Sequence, residues 1–136
     1  MSEAIKKQRA EYKNIHVMQI VRYRMPLSAM VSIMHRISGA FIFLLLPFVL
    51  YLFEKSLISE IAFEQFKGIV SHWFVKLILL GLAWAYLHHF CAGIRHLLMD
   101  LHFGLSKDGA RKSSVAIYAM SLPLTVLVAL KLFGAF

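Results

Sequence analysis

Three long apolar runs limit what this chain can become. Residues 37–53, "ISGAFIFLLLPFVLYLF", and 113–130, "SSVAIYAMSLPLTVLVAL", carry no group that titrates near neutrality, and each approaches the ~20 residues that cross a bilayer core. A third run centres on "LILLGLAWAYL" at 77–87 and reaches spanning length only if Lys76 or His88 and His89 are included. The bilayer core has no water to meet backbone polar groups, so runs of this kind fold as helices. The expected class is an all-α integral membrane protein with a basic cytoplasmic tail over 1–28. A three-helix transmembrane anchor over 29–136 follows, with spans at about 29–53, 69–98 and 113–134. Composition agrees: only 16% of the 136 residues are charged, against roughly 25% in a soluble domain.

The net charge of +8 would suit a nucleic-acid binder, but its distribution points to membrane topology instead. Six of the fifteen basic residues (Lys6, Lys7, Arg9, Lys13, Arg22, Arg24) precede the first span, against Glu3 and Glu11. Lys107, Arg111 and Lys112 enrich the second loop, whereas in the first loop Lys55 and Lys67 face Glu54, Glu60 and Glu64. The positive-inside rule then places the N-terminus and second loop in the cytoplasm, with the first loop and the C-terminus outside. The tail is too long, and the first apolar run too deep, for a cleaved secretory signal. The lone Cys91 excludes an intramolecular disulfide. Pro26 and Ser28 read as start signals for the first span. Pro47 and Pro123 fall inside spans, where kinks are expected rather than breaks.

Two polar clusters sit where such groups are costly. In "SIMHRISG", Ser32, His35, Arg36 and Gly39 share a helical face by their spacing. In "LHHFCAGIRHLLMD", His89, Gly93 and His96 share another, with Arg95 and Asp100 near the cytoplasmic end. Ionisable residues inside a membrane usually face a bundle interior and mark a cofactor, substrate or pathway. His89 has Ala85 one turn before it and Gly93 one turn after, so a flat macrocycle could lie against that surface. His96 lies ~10 Å further along the axis, about the distance from a haem iron to its propionates, where Arg95, His96, His35 and Arg36 supply cations or proton donors. His89 as an axial ligand with basic residues below it is a self-consistent haem b site. His88 is the rival ligand, on a face crowded by Trp84. No other histidine lies at that depth, so a second axial ligand would come from another subunit. The bland alternative is that Arg95, His96 and Asp100 are interfacial anchors, that Ser32 bonds back to its own helix, and that His72 and Lys76 are outer-surface anchors.

"SIMHRISG", followed by "HxxxGIRHLxxD" at 89–100, resembles the cytochrome b membrane-anchor subunit of succinate dehydrogenase, the larger of the two small anchors of respiratory complex II. The likeness extends to "RYRMPLSAM" before the first span and "GARKS" before the third. It implies that His89 ligates haem b together with a ligand from the companion anchor, and that His35, Arg36 and His96 lie near the haem. It implies also that Ser32 and Arg36 belong to a ubiquinone pocket beside the iron-sulfur subunit, with the flavoprotein reached through that subunit. The doubled histidine departs from the family pattern and keeps His88 open as metal ligand. The chain has neither a cysteine framework for iron-sulfur clusters nor a dinucleotide fingerprint, so no catalytic residue for succinate oxidation is expected on it. Asp100 is a candidate for proton relay. The expected partners are the companion anchor, the iron-sulfur and flavoprotein subunits and membrane lipid, with no nucleic acid. Two further readings stand beside this one: the anchor of a quinol:fumarate reductase, and a three-span structural or assembly protein without cofactor.

Overall fold

The computed structural model describes residue 14 and residues 16–135, and among these every regular element is helical. The basic residues Lys6, Lys7, Arg9 and Lys13 of the tail lie outside the described residues. A short helix, α1 (Val17–Arg22), is followed by α2 (Leu27–Leu57), α3 (Glu60–Ser71), α4 (Trp73–Asp100) and α5 (Lys107–Leu132). Of these, α2, α4 and α5 are long and apolar enough to cross a membrane. The central helix is α4, which packs extensively against both α2 and α5, while α2 and α5 touch each other less.

Local chemistry sets the boundaries. The His16 ring accepts from the Met18 amide and Gln19 reaches back to the His16 amide, a reciprocal cap for α1. Pro26 itself occupies the N-cap of α2, and no side chain caps that end, so Ser28 does not have the capping role its position suggested. Both α2 and α5 run on through Pro47 and Pro123. The first loop is mostly helical: Ser59 accepts from the Ala62 amide and opens α3, whose Ala62 is buried and whose Lys67 pairs with Glu64 on its exposed face. A span expected to run unbroken from about 69 instead breaks at His72, which closes α3, opens α4 and accepts from the Phe74 amide. A capping imidazole replaces the orphan-amide partner that a continuous helix would have supplied. At the other end of α4, the Phe103 amide donates to the Leu98 carbonyl and the His102 amide to the Met99 carbonyl. This is a Schellman closure with His102 in the left-handed region, at φ 65°. Gly134 takes the same place after α5.

The interior is built of small and polar side chains. Val31, Ala85, Ala92, Ile117, Ser38, Ser114, Ser121, His88 and Arg95 are buried, whereas Phe43, Leu44, Tyr86 and Leu97 are exposed. Lipid is as apolar as leucine, so bulky side chains gain little by turning inward, and close backbone approach through small residues holds the helices together instead. Hydroxyls that would otherwise be unmet in hydrocarbon bond back along their own helix, as Ser114 does to the Ala110 carbonyl and Thr125 to the Ser121 carbonyl.

Candidate functional site

The two polar motifs meet where α2 crosses α4. The ring of His89 stacks on that of His35 with centroids 4.1 Å apart and planes 9° from parallel, and the ring of His96 lies 5.0 Å from that of His35, tilted by 51°. Glycine permits this closeness. A Cβ built on Gly39 would lie 2.8 Å from Cε1 of His89, and one on Gly93 would lie 3.5 Å from Nε2 of His35. Each glycine therefore receives the imidazole of the opposite helix.

Hydrogen bonding fixes the tautomer of His89. Its Nδ1 lies 3.0 Å from the His35 carbonyl oxygen, which can only accept, so Nδ1 carries the proton and donates. Ser38, buried in α2, donates to the same carbonyl at 2.9 Å and sits 3.4 Å from Nδ1. In the neutral form of the ring the lone pair is then on Nε2, which has no hydrogen-bond partner among the described residues. An N–H held by a backbone carbonyl with the other nitrogen free is the usual arrangement of a metal-ligating histidine.

His88 is placed quite differently. It is fully buried, stacked on Trp84 at 5.4 Å and 5.4 Å from Tyr118 on α5. The doubled histidine is thus split between two faces of α4, one turned to α5 and the chain's interior, the other to α2 and a partly open surface.

Ser32 and Arg36, one turn apart on α2, are half-buried and exposed respectively, and neither makes a hydrogen bond among the described residues. Arg95 does not join the His35, His89 and His96 group. It turns the other way, buried to 6% exposure, and its Nε donates to Ser113 Oγ on α5 at 3.0 Å. Asp100 ends α4 in an exposed position. The surface beside His89 also differs from the one inferred from spacing: Ala85 is spent on the chain's own packing at 1% exposure, and the space over Gly93 is filled by His35. Among the described residues no three of His, Cys, Asp and Glu converge as a metal site.

Residues 8–128 match the family model for the succinate dehydrogenase/fumarate reductase transmembrane subunit. The chain belongs to this family. Among its curated relatives, the succinate dehydrogenase cytochrome b556 subunit of Paracoccus denitrificans is 37% identical over 111 residues, 82% of this chain and 85% of the relative. The protein of the same description from Coxiella burnetii is 35% identical over 112 residues, covering 81% and 89%. That from Rickettsia felis is 26% identical over 106 residues, covering 78% and 82%. These are near full-length likenesses, and they support a cytochrome b membrane-anchor subunit of succinate dehydrogenase.

Within this anchor family member, the sequence motifs pointed to His35, His89 and His96 but passed over Ser38 and Ser113. Ser38 was legible in principle, three residues after His35 and inside "SIMHRISG". Ser113 was not, because its link to Arg95 crosses between helices.

Proposed function

We propose that this chain is one half of the membrane anchor of a succinate:ubiquinone oxidoreductase, in which it holds haem b and contributes to the ubiquinone-reduction site. The observation that carries the reading is the bond between His89 Nδ1 and the His35 carbonyl, which leaves the lone pair on Nε2, a nitrogen with no hydrogen-bond partner among the described residues. A single oriented donor of this kind suits a haem whose other axial ligand belongs to the companion anchor. Haem fits these residues better at His89 than at His88, whose ring is enclosed by Trp84 and Tyr118. When bound, the group would supply one-electron redox chemistry within the membrane anchor. His35 and His96 offer proton-donating partners for its propionates, and Arg36 on the same helix offers a fixed cation.

Quinone reduction needs two electrons and two protons, and negative charge develops on the carbonyl oxygens of the headgroup. Ser32 can donate to one such oxygen, and Arg36 one turn later lowers the cost of the developing charge in a low-dielectric setting. Neither side chain makes a hydrogen bond among the described residues, which fits a pocket completed by the companion anchor and the iron-sulfur subunit. In this reading the N-terminus, the α4–α5 loop and the quinone site face the cytoplasm of a bacterial inner membrane, and the C-terminus faces the periplasm.

The test is a dithionite-reduced minus oxidised absorption spectrum of the chain purified with and without its companion anchor. A low-spin b-type signal that appears only with the companion supports shared axial ligation. Well-folded protein without haem in either preparation overturns it.

A further inference from the structure

On the face of α4 that carries His88, buried polar atoms stand without partners. Among the described residues, Trp84 Nε1, His88 Nδ1 and Nε2, and Ser121 Oγ are buried with no hydrogen bond of good geometry, and the His88 ring has the Val31 backbone of α2 as a polar neighbour. Trp84 and His88 are one turn apart on α4. The two helices run antiparallel, with Arg95 bonded to Ser113 and His88 against Tyr118. That register brings Ser121 level with the stretch of α4 between Trp84 and His88. The unmet atoms therefore lie at about the same height on α4 and α5, within the stretches long and apolar enough to cross a membrane.

These groups cannot satisfy one another as placed. The Trp84 and His88 rings stack with planes 28° apart, so the indole N–H and the imidazole lone pair, each lying in its own ring plane, do not point at each other. The inventory is nonetheless complementary. An indole N–H only donates, a neutral imidazole donates once and accepts once, and a serine hydroxyl does both. Water has two donors and two acceptors, and a buried water typically makes about three hydrogen bonds. One molecule can accept from Trp84 while donating to His88 and Ser121. Leaving several polar groups unmet in hydrocarbon costs more than packing apolar ones there, so the presence of three such residues on one seam calls for a small polar occupant.

We propose that the α4–α5 seam is an internal water site, with a water molecule bridging Trp84, His88 and Ser121 and Tyr118 closing one side. The water joins α4 to α5 at mid-membrane, and the Arg95–Ser113 bond joins them nearer the end of α4. Two polar ties on one side of α4 oppose its rotation about its own axis, and so hold the neighbouring His89 toward α2. The second histidine of the pair thereby has a role that requires no metal.

The proposal is independent of haem binding and is tested without reading haem. In a cryo-EM map of the intact complex, at a resolution where other buried waters are visible, compact density is expected within hydrogen-bond distance of Trp84 Nε1 and a His88 ring nitrogen. Ordered waters elsewhere with none at this seam, or direct pairing of His88 with Ser121, overturns the proposal. A variant series gives a second measurement. His88→Phe, Trp84→Phe and Ser121→Ala, made singly, each leave the other members unmet and are expected to shorten the half-life of the complex at a fixed elevated temperature about 5-fold, the rate equivalent of one net hydrogen bond. The triple variant leaves nothing unmet and is expected to recover most of that loss. Losses that simply add up in the triple variant overturn the shared site. If any variant fails to assemble, the map of the unaltered complex decides.

Discussion

The Nδ1 of His89 lies 3.0 Å from the carbonyl oxygen of His35, fifty-four residues away in the chain. This contact joins the two polar motifs of the sequence, sets the protonated nitrogen of His89 and leaves the lone pair on the other nitrogen. The stacking of the same two rings at 4.1 Å makes it a packing constraint as well. Several expected outcomes follow from the side chains around it.

Replacing His89 by leucine removes the oriented Nε2 donor. The b-type absorption of the assembled complex is expected to vanish or turn high-spin. His88→Phe removes a ring that faces Trp84 and Tyr118, so it is expected to keep a low-spin spectrum even where it lowers thermal stability. The reverse pattern would move the ligand to His88.

Gly39→Ala places a methyl group 2.8 Å from Cε1 of His89. The ring or the helix must give way, and a destabilisation of about 1–3 kcal/mol is expected, together with a shifted haem spectrum. Gly68→Ala on α3 meets nothing within 4 Å and is expected to be neutral or to stabilise by up to about 1 kcal/mol. Thermal unfolding of the two variants side by side separates a clash from a general glycine effect.

Ser32→Ala and Arg36→Leu alter side chains that make no hydrogen bond within the described chain. Each is expected to lower ubiquinone reduction by about tenfold or more, while succinate oxidation by a soluble artificial acceptor persists. Equal loss of both activities would indicate failed assembly.

Ser113→Ala leaves the buried Arg95 Nε without its acceptor. A loss of about 1–3 kcal/mol is expected, read as a lower midpoint for thermal dissociation of the complex, with the haem spectrum unchanged because Arg95 faces α5. A spectral change of the size seen for His89 variants would instead place Arg95 with the haem group.

His102 closes α4 at φ 65°, where a side chain is strained and glycine is not. His102→Gly is expected to raise stability by about 1 kcal/mol, measured as a higher unfolding midpoint with quinone reduction intact. A drop in quinone reduction would show that the His102 imidazole acts beyond the turn.

The apolar runs alone determined an all-helical membrane protein, because hydrocarbon leaves the backbone no other way to meet its hydrogen bonds. The spacing in "SIMHRISG" and "HxxxGIRHLxxD" also brought out His35, His89 and His96, since residues three and four apart share a helix face whatever the fold. Only the tertiary structure decided how α4 is rotated. Periodicity assigns residues to faces but does not say which neighbour each face meets. That rotation turned His88 and Arg95 toward α5, and His89 and His96 toward α2. It also spent Ala85 and Gly93 on internal packing and exposed the contributions of Ser38 and Ser113, which act across helix contacts and leave no local trace in the sequence. The break at His72 escaped notice for a related reason: an imidazole that caps a helix looks, in sequence, like any polar residue near a membrane surface.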